Sequence, residues 1–233
     1  MNHQIIAVGG GGFSTESEPG IDQYILEQAG TTSPKIGFIG TASGDAASYR
    51  LKFHTRFSKL DCVPSHLDLF RRTSNISAWM SEQDIIFVGG GNTKSMLAVW
   101  STWDVQTHLR IALEQGTVLA GISAGAICWF EAGVTDSWAG ELKALEGLGF
   151  LSGSCCPHYS LEAGRAPAYR KMIRDREIMD GFAIDDGACV HFEGGRPKRV
   201  VSARGGASAY YVSIVDNELK EVVVPGVDVV HVT

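Results

Sequence analysis

The stretch VLAGISAGAICWF, residues 118–130, decides how this chain is read. An apolar run passes through Gly121-Ile122-Ser123-Ala124-Gly125 into residues that can start a helix. Small residues on both sides of a serine are what a sharp strand-to-helix turn demands, because larger neighbours would clash there. Such a turn leaves the Ser123 hydroxyl at the C-terminal end of the strand and frees the amide of Ala124 to face an anion. The same pentapeptide also serves as an ordinary tight turn, so its surroundings must decide between the two readings.

Three other apolar runs end in glycine or polar turns: QIIAVGGGG (4–12), KIGFIGTASG (35–44) and DIIFVGGGNT (84–93). They read as buried strands whose C-terminal ends open into loops. Helix-compatible segments lie between them, at 20–29, 47–59, 94–100 and 105–115. This alternation predicts an α/β fold, a mostly parallel sheet with helices on both faces. From residue 188 onward, β-rich runs are separated by GG, DN and PG turn signals, which predicts antiparallel C-terminal strands extending the same sheet. No linker, repeat or low-complexity segment interrupts the chain, and residues 1–233 are read as a single domain.

Composition narrows the function. The 233 residues are 44% hydrophobic and 20% charged, enough apolar material for a substantial core. A net charge of −6 without any Lys/Arg run offers no attraction for nucleic acid or anionic lipid, so neither is expected as a partner. The five cysteines are an odd number and form no C-x-x-C pair, which points to reduced thiols. No apolar run approaches the roughly 20 residues of a spanning helix, and the first one is too short for a secretory signal. A cytoplasmic protein is expected, and assembly as a homodimer is compatible with this reading. No H-E-x-x-H or clustered ligand spacing appears, so no metal and no cofactor are expected.

The loop FVGGGNT, residues 87–93, supplies the context that the serine needs. The C-terminal ends of parallel strands line up along one edge, so this loop can face Ser123. Backbone amides of Gly90 or Gly91, together with that of Ala124, are the expected oxyanion hole. Asn92 reads as the cap of the following helix and as a substrate contact.

VGGGNT, followed about thirty residues later by GISAGA and then by PHY, resembles the dipeptidase E and cyanophycinase group of serine peptidases, peptidase family S51. The likeness runs from about residue 5 to residue 190. It implies a fold like that of the class I glutamine amidotransferases, a flavodoxin-like three-layer sandwich, with serine in place of their elbow cysteine. It also implies hydrolysis of a small peptide next to an acidic residue, without metal.

A serine hydroxyl needs a general base. Of seven histidines, His3 and His231 lie at the chain ends, and His54, His66 and His108 precede the elbow in helix-like or connecting segments. His158, in GSCCPHYS, corresponds to the catalytic histidine of the family. His191, in HFE, reproduces the His-x-Glu pattern of the amidotransferases with Glu193 as acid. Strand alternation also puts His191 and Glu193 on one face for structural reasons alone, and His158 is preferred. The resemblance implies an acid about fifteen residues after the nucleophile; Trp138 stands there, and Asp136 in GVTDSW is the nearest carboxylate. Glu131 is closer to the serine but falls on the expected post-elbow helix.

The family places its substrate-reading arginine in the segment after His158, which makes Arg165 and Arg170 candidates, with Arg174 on the same helical pattern as Arg170. Asp185 and Asp186, in AIDDGACV, read as a turn that could bind a substrate amine. Two other functions fit the same residues: an amidase or esterase using the same triad, and a small-molecule-binding protein without catalysis.

Overall fold

A computed structural model describes residues 3–73 and 75–233. The first half runs β1 (Gln4–Val8), α1 (Pro19–Glu27), β2 (Lys35–Ile39), α2 (Ala47–Phe57), β3 (Val63–Leu67), α3 (Ile76–Ser81), β4 (Ile85–Val88), α4 (Thr93–Trp103), α5 (Val105–Gln115), β5 (Val118–Ile122) and α6 (Ala124–Ile127). The second half runs β6 (Phe130–Thr135), β7 (Lys143–Glu146), β8 (Leu151–Cys156), α7 (Arg165–Arg174), β9 (Gly181–Ile184), β10 (Ala188–Glu193), β11 (Arg196–Ser202), β12 (Ala209–Val215), β13 (Glu218–Val223) and β14 (Asp228–His231).

An eight-stranded sheet has the order β14-β11-β10-β1-β5-β4-β2-β3. Its β1, β5, β4, β2 and β3 are parallel, and β10 joins the other side of β1 in antiparallel sense. Of these, β1, β5, β4 and β2 are apolar at nearly every position because both faces are covered, whereas the edge strand β3, VPSHL, is not. On β4, Ile85 and Phe87 pack with Ile21, Phe53 and Phe57 of α1 and α2, whereas Ile86 and Val88 pack with Trp100 and Leu109 of α4 and α5. The four glycine-ended runs of the sequence are thus β1, β2, β4 and β5, with their loops along one edge.

The C-terminal strands divide between two sheets, where one was expected. β10, β11 and β14 extend the main sheet, but β12 and β13 join a six-stranded sheet of order β13-β12-β9-β8-β6-β7. Burial drives the departure: Val212 of β12 packs against Tyr169, Met172 and Ile173 of α7, a face the main sheet does not offer. Asp185, buried at the crossing, accepts hydrogen bonds from Ser160 Oγ and from the Ser208 amide (3.0 Å). The post-elbow helix is also shorter than expected, so Glu131 lies on β6, where its carboxylate accepts from the Gly153 amide at 2.7 Å.

The two sheets meet beyond the end of β1. The His158 amide donates to Gly9 O (3.3 Å), the Gly187 amide donates to Gly10 O (2.9 Å), and Gly10 bridges Asp186 in parallel sense. No helix among the described residues is long and apolar enough to cross a membrane.

Candidate active site

Ser123 sits between β5 and α6 with φ 56° and ψ −113°, the strained corner its neighbours implied. A Cβ on Gly121 would stand 2.0 Å from Gly125 O, and one on Gly125 would stand 2.2 Å from Val88 O. Only glycines therefore allow the turn to close. The Ser123 amide donates to Val8 O (3.2 Å), and the Ser123 carbonyl accepts from the amides of Ala126 and Ile127 (2.9 and 3.0 Å), fixing the corner to β1 and to α6.

Two of the three amides expected in the oxyanion hole have no acceptor among the described residues, those of Gly91 and Ala124. The Gly90 amide is different. It donates to Tyr49 Oη at 3.2 Å, so Gly90 anchors the loop instead of facing the cavity with a free donor. The Asn92 side chain is likewise engaged, its Oδ1 capping α4 at the Ser95 amide (2.8 Å) and its Nδ2 donating to Ser137 O (2.9 Å). Asn92 lines the cavity while holding the loop that carries Gly91 against the segment after β6.

His158 follows β8 and is also in a left-handed conformation, φ 55°. Its Nδ1 is hydrogen-bonded to Asp186 Oδ1 at 2.8 Å, with the two side chains 20% and 15% exposed. A carboxylate on Nδ1 fixes the tautomer and leaves Nε2 available to a serine hydroxyl. Ser123 and His158 line one cavity of about 270 Å³, together with Gly91, Asn92, Asp136, Ser137, Glu162 and Arg165.

Asp136 does not hold the histidine, contrary to the sequence expectation. It is 67% exposed and its Oδ2 lies 3.6 Å from Arg165 Nη2, with no hydrogen bond to His158 among the described residues. Its loop is drawn towards α4, where Ser137 Oγ accepts from the Lys94 amide (3.2 Å) and bonds Thr135 Oγ1 (2.8 Å). Asp186 occupies the place on Nδ1 instead. The turn reading of the Asp-Asp-Gly sequence accounts for Asp185, which braces the crossing between sheets, and misses Asp186. In the fold, a Cβ on Gly10 would come within 1.9 Å of Asp186 Oδ1 and 2.8 Å of His158 Nδ1, so the glycine run after β1 makes room for this pair.

His191 is fully buried on β10, opposite Ile6 of β1, with its Nδ1 hydrogen-bonded to Tyr24 Oη at 2.7 Å. Burial lowers its pKa to about 4. Glu193 pairs with Lys198 and not with His191, so the amidotransferase-like pair is not assembled. The cysteines form no disulfide, and burial pushes the thiols of Cys156 and Cys189 up to about 12.

Arg165, the first residue of α7, is 3% exposed and lines the cavity. Its Nε donates to Glu162 Oε2 (2.6 Å) and its Nη1 to Val134 O (3.0 Å). Arg170 does not reach the cavity: its Nε donates to Glu221 Oε2 (2.7 Å) and its guanidinium lies over the Tyr159 ring, 5.6 Å from the centroid. The substrate role expected of Arg170 is therefore replaced by a link between α7 and β13. Among the described residues, no three His, Cys, Asp or Glu side chains are grouped to hold a metal ion.

Comparison with known proteins gives the family and the fold. The chain is 50% identical over 224 residues to the uncharacterized peptidase YgaJ of Bacillus subtilis (strain 168), covering 95% of this chain and 97% of that protein. A crystal structure of a peptidase from an acI-B1 Actinobacterium superimposes with a TM-score of 0.73 at 15% identity, over 97% of this chain and 96% of that one. A second solved structure, from Listeria monocytogenes EGD-e, gives a TM-score of 0.64 at 17% identity over 84% and 97% of the two chains. These likenesses agree with the class I glutamine amidotransferase-like α/β fold. The sequence model of peptidase family S51 matches residues 5–200, and the chain belongs to that family and is a serine peptidase.

Proposed function

We propose that the protein hydrolyses dipeptides or short peptides through an acyl-enzyme, with Ser123 as nucleophile, His158 as general base and Asp186 as the orienting acid. The observation that carries this reading is the 2.8 Å bond between His158 Nδ1 and Asp186 Oδ1 beside a cavity shared with the elbow serine. His158 Nε2 takes the Ser123 Oγ proton as Oγ attacks the scissile carbonyl carbon. The oxyanion so formed is met by the amides of Gly91 and Ala124, donors with no competing acceptor among the described residues. Nε2 then returns the proton to the leaving amine, the C–N bond breaks, and the acyl group stays on Oγ. Water repeats the sequence on the ester and restores Ser123. A cavity of about 270 Å³ sits just below the usual range for small-molecule sites, which favours a short substrate.

Labelling with a fluorophosphonate probe, followed by peptide mapping, tests this reading. The wild-type protein should carry the label on Ser123, His158→Ala should lose at least about 10³ in labelling rate, and folded His191→Ala should retain it. Labelling that survives loss of His158 but not of His191 would overturn the assignment and move the acid to Glu193.

A further inference from the structure

The loop of residues 89–92 commits its amides one by one. Gly89 N donates to Ile39 O (3.0 Å), Gly90 N to Tyr49 Oη (3.2 Å) and Asn92 N to Ala42 O (2.8 Å), which leaves Gly91 N without an acceptor among the described residues. Three consecutive glycines hold one conformation poorly by themselves, because without Cβ atoms each explores both signs of φ. An oxyanion donor has to be in place before the charge develops, so this loop needs restraint from outside. Two of its acceptors are main-chain carbonyls, at the end of β2 and just after it; the third, Tyr49 Oη, is a side chain.

Tyr49 is itself fixed. It lies in the first turn of α2, with its ring stacked on that of buried Phe13 (centroids 5.5 Å apart, 24° between planes) and edge-on to buried Phe38 (5.2 Å, 76°). The ring also reaches the loop, since a Cβ on Gly89 would stand 2.9 Å from Tyr49 Cε1. On its other side the loop abuts the elbow: a Cβ on Gly90 would stand 3.2 Å from Ser123 Cβ and 3.7 Å from Ser123 Oγ. Gly90 is thus held by the phenol on one side and faces the serine on the other, and Gly91, at φ 138°, is the next residue.

We infer that Tyr49 is a positioning residue of the oxyanion hole: its hydroxyl engages the Gly90 amide and fixes the residue from which the Gly91 amide projects, so that Gly91 N is the donor that meets the oxyanion. The inference deepens the serine mechanism proposed above and rests on it. Without the hydroxyl, Gly90 N is released and the glycines on either side are free to turn their peptides. The hole then loses its alignment, while the side chains that line the cavity are untouched. The defect falls on the step in which negative charge grows on oxygen and not on ground-state binding.

Saturation kinetics of fluorophosphonate inactivation separate that step from binding, as kinact and KI. In the reaction Ser123 Oγ bonds to phosphorus, its proton passes to His158 Nε2, fluoride leaves, and negative charge grows on the phosphoryl oxygen where a carbonyl oxygen would sit. Tyr49→Phe keeps the stacked ring and removes only the hydroxyl. It should lower kinact by about 10- to 100-fold, less than the loss of an oxyanion donor outright, with KI within about twofold of wild type. Tyr49→Leu also gives up the stack, so it should unfold at lower urea than Tyr49→Phe and lower kinact at least as much. Circular dichroism checks that each variant is folded in the assay. A tyrosine that only packs would lower the urea midpoint and leave both constants of the folded enzyme at their wild-type values. A fall in kinact of less than about tenfold in Tyr49→Phe, or a loss carried by KI, overturns the inference. Absent labelling of the wild-type serine would instead refute the peptidase reading, and this inference with it.

Discussion

Asp186→Asn removes one charge from the proposed triad while preserving its shape. Asp186 Oδ1 accepts from His158 Nδ1 at 2.8 Å, and the second oxygen, Oδ2, is buried without a hydrogen-bond partner among the described residues. Among the described residues the negative charge therefore has His158 as its one hydrogen-bonded partner, in a pair whose side chains are only 20% and 15% exposed. An Asn could offer its oxygen, which keeps the ring oriented but does not stabilise an imidazolium. It could instead offer its NH₂, which makes Nδ1 an acceptor and puts the ring proton on Nε2, the nitrogen that must receive the serine proton. For a Ser-His-Asp triad such a change lowers kcat by about 10⁴, or about 5.5 kcal/mol at 1.36 kcal/mol per decade. Asp136→Asn alters an exposed group 3.6 Å from Arg165 and should lose no more than the roughly tenfold that substrate positioning carries. The assay is kcat/KM on a cleaved dipeptide and the rate of fluorophosphonate inactivation, for variants shown to be folded. An Asp186→Asn enzyme within tenfold of wild type, beside an Asp136→Asn enzyme reduced by about 10³ or more, would refute the assignment of the acid.

Gly10→Ala should act on the same pair, since its methyl would stand 1.9 Å from Asp186 Oδ1; activity should fall by at least about 10² with the protein still folded, and normal turnover would show that the pair tolerates displacement. His191 predicts an acid-sensitive stability: its pKa is about 4 in the fold against an ordinary 6.5, so the unfolded chain binds more protons between those values. Stability is intact above about pH 6.5 and falls as pH drops through the window, by about 3 kcal/mol when complete. Urea unfolding of wild type and His191→Gln at pH 7.5 and pH 4 should show that the difference between the two proteins shrinks by that amount, and a constant difference would remove His191 as the cause.

What the sequence revealed was local. Apolar runs ending in glycine marked β1, β2, β4 and β5 because buried parallel strands need both faces apolar and open into loops at one edge. Ser123 was legible from its own neighbours, since Gly121 and Gly125 are required by atoms within a few residues or on the adjacent strand. His158 came from the family motif, not from spacing. Asp186 was not legible: its contact with His158 spans 28 residues and depends on β8 and β9 lying side by side. Counting along the chain from Ser123 leads to Asp136, because nothing in that count shows that β6 carries the segment towards Arg165. Arg170 was misread for a similar reason, since its partner Glu221 stands 51 residues away on β13. The second sheet escaped detection because alternation identifies strands and not their neighbours.

The distribution of the proposed triad over two sheets explains why the glycine run after β1 is needed. Ser123 ends β5 of the main sheet, whereas His158 and Asp186 each lie two residues beyond the ends of β8 and β9, parallel neighbours paired as Cys156 with Ala183. One sheet thus brings His158 and Asp186 together through its own register, and the other presents Ser123 through its elbow. The main chain between them supplies the alignment: Val8 O holds the Ser123 amide, Gly9 O holds the His158 amide, and Gly10 O holds the Gly187 amide next to Asp186. Three consecutive carbonyls of one segment therefore locate all three members of the proposed triad. Side chains on Gly9 and Gly10 would meet Asp185 O and Asp186 Oδ1 at 2.2 and 1.9 Å, so the segment can make these contacts only as bare backbone. The glycines that announced a strand end in the sequence are, in the fold, the clearance that lets two independently built halves of the site approach.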